Sequence, residues 1–162
     1  MSQTMTTHGM THPMPAANPA VARIGGLLRR LDAVPLALPQ LMARLAVGTV
    51  FWKSGLTKIA SWETTVALFR EEYRLPVLPP ELAAMLGTTM ELSAPVLLVL
   101  GLGARLGALG LLGMTAVIQI LVYPENWAEH LTWATLLLLI LIRGAGTISL
   151  DHLLSRAVGR RS

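Results

Sequence analysis

Four apolar blocks, each close to the roughly 20 residues that carry an α-helix across a bilayer, constrain this chain more than any motif in it. They are residues 38–59 (LPQLMARLAVGTVFWKSGLTKI), 82–102 (LAAMLGTTMELSAPVLLVLGL), 105–123 (RLGALGLLGMTAVIQILVY) and 129–146, which opens EHLTWATLLLLILIR. Blocks this long and continuous read as helices rather than core strands. Charged residues make up only 14% of the 162-residue chain, where a soluble domain carries about a quarter. Mean hydropathy is +0.58. The expectation is an all-α integral membrane protein, a four-transmembrane-helix bundle over residues 36–152. A polar, Pro-rich N-terminal tail (1–35) lacks the early apolar stretch of a cleavable signal, and a basic C-terminal tail covers 153–162.

Between the first two blocks lies SWETTVALFREEYRLPVLPPE. Trp62, Val66, Phe69 and Tyr73 recur at helical spacing, with Glu63, Arg70, Glu71 and Glu72 largely elsewhere on the wheel. That pattern predicts a short amphipathic helix on the membrane surface. Pro76, Pro79 and Pro80 then turn the chain into the second block.

With four spans, Arg23, Arg29, Arg30, Arg105, Arg143, Arg156, Arg160 and Arg161 fall on one side, and Lys58, Arg70 and Arg74 on the other. The positive-inside rule places both termini in the cytoplasm. Net charge is +4, but the basic residues sit at helix ends and in tails without interleaved aromatics, so no nucleic-acid partner is expected. The chain has no cysteine, which removes disulfides, thiolate metal sites and iron–sulfur ligation. His130 opens the fourth block and His8, His12 and His152 lie towards the ends. Haem, which wants axial ligands at facing depths, is not expected, nor is any covalently bound cofactor. GLGARLG resembles a nucleotide loop only superficially, with no preceding strand and the wrong glycine spacing. The tail MTTHGMTHPM offers His8, His12 and Met10 as weak candidate copper ligands.

The intramembrane charges carry the functional question. At 1.5 Å per residue, Arg44 lies on the order of 9 Å inside the membrane boundary. Arg44, Gly48, Phe51, Gly55 and Lys58 are spaced 4, 3, 4, 3 and share one helix face, whereas Lys53 falls on the opposite face and reads as a snorkelling lysine. The two glycines let another helix approach, so the Arg44 face is expected inside the bundle. Glu91 is the one acid at depth in the second block, flanked on its face by Gly87, Thr88, Ala94 and Pro95. A lone carboxylate there would cost about 2.5–3.5 kcal/mol on insertion scales. Arg44 is therefore expected to pair with it, either to fix helix register or as a functional site. In the third block Gln119 reads as an interhelical hydrogen-bonder, and Gly103, Gly107 and Gly110 as a packing face.

The pattern Arg44-x3-Gly48-x2-Phe51-x3-Gly55-x2-Lys58, a loop with Leu75-Pro76, Glu91 followed by LLVLGLGAR ending in Arg105, and the closing Gly144-x-Gly146-x2-Ser149-Leu150-Asp151 together resemble the DoxX family over about residues 41–152. The resemblance implies a multi-pass protein of the bacterial inner (plasma) membrane, similar to the large subunit of thiosulfate:quinone oxidoreductase. It carries over Arg44, Lys58, Glu91, Arg105 and Asp151 as a polar set, while His130 stands where that family commonly has an acid. Arg44 and Glu91 would then polarise a quinone carbonyl in an oxidoreductase subunit, with electrons from a partner redox protein. The alternatives are a non-catalytic adaptor or metal- and oxidative-stress partner that docks a soluble enzyme, and a small transporter. A homo-oligomer stays open.

Overall fold

The computed structural model describes residues 34–159. Two long helices, α1 (Ala37–Ala60) and α3 (Pro80–Leu100), flank a short one, α2 (Trp62–Leu68), that runs on as a π turn (Phe69–Tyr73). Then come α4 (Ala104–Val117), extended by a second π turn (Ile118–Val122), a single 3₁₀ turn (Pro124–Asn126), α5 (Trp127–Arg143) and α6 (Leu150–Gly159). The described residues contain no strand.

The four long helices close a ring, α1 on α3, α3 on α4, α4 on α5 and α5 back on α1. Pro79 caps α3 and Pro80 opens it, where a missing N–H costs nothing. Gly101 and Gly103, both in the left-handed region, turn α3 tightly into α4. Gly103 therefore serves the turn and has no neighbour to pack against, while Gly107 and Gly110 do abut α3. The expected packing face is thus two glycines rather than three. The fourth helix also differs from expectation: it starts at Trp127 and ends at Arg143. Gly144, at φ +78° and ψ −168°, leaves helical space altogether.

Alanines and a few large apolar side chains fill the centre, and many more large apolar residues coat the outside. Ala43, Ala83, Ala84, Ala94, Ala104 and Ala108 are buried, together with Val47, Phe51, Leu98, Leu111, Leu137 and Ile140. Leu106, Leu109, Ile120, Leu131 and Ile142 are more than half exposed. This inverts the soluble pattern and suits a solvent of lipid tails, in which close backbone approach rather than the hydrophobic effect joins helices. Pro80–Leu100 and Ala104–Val122 are long and apolar enough to cross a membrane. Of their neighbours, α1 carries Arg44, Lys53 and Lys58, and α5 is 17 residues long.

The amphipathic segment is helical, but its inward face is set by Thr65 and Phe69, which are buried, rather than by Trp62, which is 43% exposed. Phe69 packs on Ala83 and Ala84 of α3, with Val66, Tyr73 and Leu75 around it. Arg70 pairs with Glu81 on the surface. The segment read as a basic C-terminal tail is helical through Gly159.

Candidate functional site

The buried face of α1 contains Arg44, Gly48, Phe51, Gly55 and Lys58, as the spacing predicts, together with Gln40, and Lys53 is exposed on the other side. The polar residues of that face go to two separate places.

At the N-terminal end of α1, Arg44 is 1% exposed and meets no carboxylate. Its guanidinium donates to the carbonyls of Ala145, Ile148 (2.8 Å) and Val99 (3.0 Å). These oxygens lie at the C-terminal end of α3 and in the chain that leaves α5, where helix carbonyls have no internal donor. Gln40 Nε2 adds bonds to the carbonyls of Arg143 (3.3 Å) and Gly144 (3.2 Å). Gly146 presses on Gln40, since a Cβ there would stand 2.7 Å from Gln40 Oε1. Arg105 reaches the Ile142 carbonyl at 3.4 Å. Asp151 accepts from Gly103 N at 2.9 Å, and its own N–H donates to Gly101 O at 2.9 Å. Arg44, Arg105, Gly144, Gly146 and Asp151 thus converge on one clasp that ties the ends of α3, α5 and α6 to α1.

At the other end of α1, Glu91 pairs with Lys58, not with Arg44: Lys58 Nζ lies 2.9 Å from Glu91 Oε1. Ser54 completes the group, accepting from Lys58 Nζ at 2.8 Å and donating to Glu91 Oε1 at 3.1 Å. The expected Arg44–Glu91 pair fails because of register. A Cβ on Gly55 would lie 3.2 Å from Glu91 Cβ, so Glu91 sits level with Gly55, roughly 16 Å along the helix from Arg44 at 1.5 Å per residue. Lys58, one turn from Gly55, is the cation within reach. The absence of a side chain at Gly55 is what brings α3 close enough, since a Cβ there would meet Leu92 at 2.7 Å.

Lys58 and Glu91 line a cavity of about 460 Å³ to which all four long helices and the segment after α2 contribute. Its walls are chiefly apolar, with Phe51, Phe69, Met90, Met114 and Trp133 among them. Phe51 meets Trp133 edge-on, centroids 5.3 Å apart. Glu91 Oε2 is buried and has no hydrogen-bond partner. Pro95, four residues on, deprives the Glu91 carbonyl of its helical donor as well.

Further polar side chains line this cavity that sequence reasoning did not place there: His130, Tyr73, Tyr123, Asn126 and Glu129. His130 is buried and its Nδ1 lies 2.8 Å from Gln119 Oε1. Gln119 also donates to the Pro124 carbonyl at 2.8 Å, so it does join helices as expected. His130, Trp133, Leu137 and Ile140 are spaced 3, 4, 3, a signal that could have shown the histidine facing inward. Tyr73 and Tyr123 lie at the ends of the two π turns, with ring centroids 5.8 Å apart. Each π turn adds a residue to its last helical turn and re-aims the side chains beyond it, a shift no α-helical wheel reveals. Tyr123 donates to the exposed Glu72. That carboxylate acceptor, then burial and Tyr73, push the Tyr123 phenol well above its ordinary range. Burial raises Tyr73 as well.

Among the described residues no three His, Asp or Glu side chains are grouped to hold a metal ion. His8, His12 and Met10 lie outside the described residues.

The sequence pattern of the DoxX family matches residues 40–124, just over half of the chain. The match covers Arg44, Gly48, Phe51, Gly55, Lys58, Glu91 and Arg105, and ends before the Gly144–Asp151 motif. No curated protein and no solved structure matches the chain. Inverted packing, two helices fit to cross a bilayer and this match agree: the chain is a membrane protein of the DoxX family.

Proposed function

We propose that the cavity takes up a quinone-class molecule from the bilayer and that the chain serves as the quinone-interacting subunit of a redox complex in the bacterial inner membrane. In this reading α1 and α5 also cross, giving four spans, with α2 near the surface. Both termini, and with them the clasp, lie on the cytoplasmic side because Arg105, Arg143 and Arg156 stand at that end.

The observation that carries the proposal is the Lys58–Glu91 pair, with one carboxylate oxygen unpartnered, on the wall of a chiefly apolar cavity. An ion pair needed only to fix register would be better buried against atoms than against space. The residues suit a quinone, which needs a lipophilic slot and hydrogen-bond donors for its carbonyl oxygens. Lys58 directs two of its three ammonium protons at Ser54 and Glu91, which leaves one to donate. His130, held at Nδ1 by Gln119, has its second ring nitrogen free to face a ligand. Leu78 (38%), Leu86 (50%) and Val117 (41%) line the cavity yet are exposed, an apolar rim through which a lipophilic molecule can enter from the side.

A bound quinone would supply the capacity to carry two electrons and two protons. Toward it, Lys58 offers positive charge and a hydrogen bond, and Glu91 holds the ammonium in place. Tyr73 and Tyr123 connect the cavity to Glu72 at the surface. Electrons come from a partner protein, since a chain without cysteine lacks thiol or iron–sulfur carriers.

The test is titration of the protein in nanodiscs with decylubiquinone, read by quenching of tryptophan fluorescence, with Trp133 in the cavity wall. We expect saturable quenching, at least about tenfold weaker in the Lys58→Met, Glu91→Gln double variant, as loss of one charge-assisted hydrogen bond of about 1.5–3 kcal/mol implies. Equal affinity in the double variant, or quenching no stronger than partition into empty nanodiscs, overturns the proposal.

A further inference from the structure

α6 is amphipathic in an unusual orientation. On a helical wheel Leu150, Leu153, Leu154 and Ala157 occupy one continuous arc, while Asp151, His152, Ser155 and Arg156 occupy the other. In a core-packing helix the apolar arc would face the bundle. Here the helix is tied to the bundle only at its start: Asp151 accepts from Gly103 N and donates its own N–H to Gly101 O at the α3–α4 turn, and Ser149 caps the helix by accepting from His152 N at 3.2 Å. The leucines face away, with Leu153 60%, Leu154 53% and Leu150 37% exposed.

The position of this face identifies what covers it. α6 begins beside the clasp, at the end of the bundle where α3 and α5 finish, which for a membrane-embedded bundle is the level of the headgroups. The surrounding side chains are basic: Arg105, Arg143 and Arg156 are exposed at this end. Asp151 is already engaged by backbone N–H at Gly103. A helix with an apolar arc towards acyl chains and arginines beside it has the makings of an interfacial anchor for anionic lipid.

We infer that α6 lies in the membrane interface with Leu150, Leu153 and Leu154 inserted among acyl chains, and that Arg143 and Arg156 hold anionic lipid headgroups against the clasp. Neither the side of the membrane that the clasp occupies nor the molecule that the cavity binds alters this arrangement.

Since the chain has no cysteine, single spin labels can be placed in the full-length protein through Leu153→Cys and Ser155→Cys. Both positions are exposed, so neither change opens the core. In nanodiscs containing phosphatidylglycerol, the Leu153 label should be relaxed several-fold more by oxygen than by a water-soluble nickel complex, and the Ser155 label the reverse. In phosphatidylcholine alone the contrast should shrink. Arg143→Gln with Arg156→Gln should remove the difference between the two lipids while leaving the fold intact. Equal nickel access at both positions would show α6 standing in water and overturn the inference. A Leu153 label shielded from both reagents would do so too, because protein would then cover the face, whether a second copy, another partner or residues 1–33.

Discussion

At one end of α1 the guanidinium of Arg44 donates to three backbone carbonyls. Four turns along the same face, the ammonium of Lys58 meets the Glu91 carboxylate beside a cavity. Both cations are buried, at 1% and 8% exposure. They differ in what answers them. Carbonyls at helix ends are fixed by the fold and exist whatever the side chains are, so Arg44 satisfies atoms that would otherwise stand orphaned. A carboxylate is a choice of sequence and brings its own desolvation cost, so the Lys58–Glu91 pair is weak evidence for stability and stronger evidence for a site. One end of the bundle is a fastener and the other a chamber.

The largest effect expected from this contrast is at Arg44. Arg44→Ala leaves the Ala145, Ile148 and Val99 oxygens without their donor, at about 1–3 kcal/mol for each buried group left unsatisfied. Thermal unfolding in detergent should show a loss of several kcal/mol. Arg44→Lys, which keeps the charge but not the fork, should recover only part. No second side-chain substitution should rescue Arg44→Ala, because its acceptors are backbone. Wild-type stability in Arg44→Ala would mean the clasp does not fasten the bundle.

The next effect separates the chamber from the clasp. Lys58→Met alone leaves a buried carboxylate without its cation and should cost about 3–5 kcal/mol. Lys58→Met with Glu91→Gln should return to within about 1 kcal/mol of wild type, since replacing a buried ion pair by isosteres is commonly neutral. Stability is thus compensable at this end and not at the other. A double variant as unstable as the single one would make the pair structural, and would erase the distinction between the two ends.

These assignments were legible in the sequence to different depths. The spacing of Arg44, Gly48, Phe51, Gly55 and Lys58 identified the buried face, because a helical repeat is a property of the chain alone. The partner of Glu91 was misassigned, because partnership depends on the relative height of two helices, and here the contact at Gly55 fixes it. The true partners of Arg44 were hidden for another reason. Backbone carbonyls are the same for every residue, so no letter in the sequence marks the ones a fold leaves unpaired. The resemblance grouped Arg44, Lys58, Glu91, Arg105 and Asp151 as one set, where the structure divides them between two places. His130 was readable from its spacing with Trp133, Leu137 and Ile140. The tyrosines were not, since the π turns that deliver them break the period on which such reading depends.

The smallest effect expected is at the mouth of the chamber, and it tests whether the polar groups there form one network. The chain has only two tyrosines, Tyr73 and Tyr123, so phenolate absorbance reports on them alone. A free tyrosine ionises near about pH 10. Both phenols are held above their ordinary range, Tyr123 chiefly by donating to Glu72 and Tyr73 chiefly by burial. Because the folded values are raised, the stabilisation from these protons is fully present below about pH 10 and fades only as pH rises through the folded values. In detergent at about pH 10 the phenolate signal of the folded protein should therefore be clearly weaker than that of the unfolded chain, in which about half of each tyrosine is ionised. Glu72→Gln should bring the Tyr123 transition down towards the ordinary value while leaving stability at neutral pH almost unchanged, since Glu72 is exposed and hydrogen bonds reached by water contribute little. Two transitions at the ordinary value in the folded wild type would disconnect Glu72 from the cavity. The chamber would then keep its buried ion pair but lose the route proposed for protons to and from the surface.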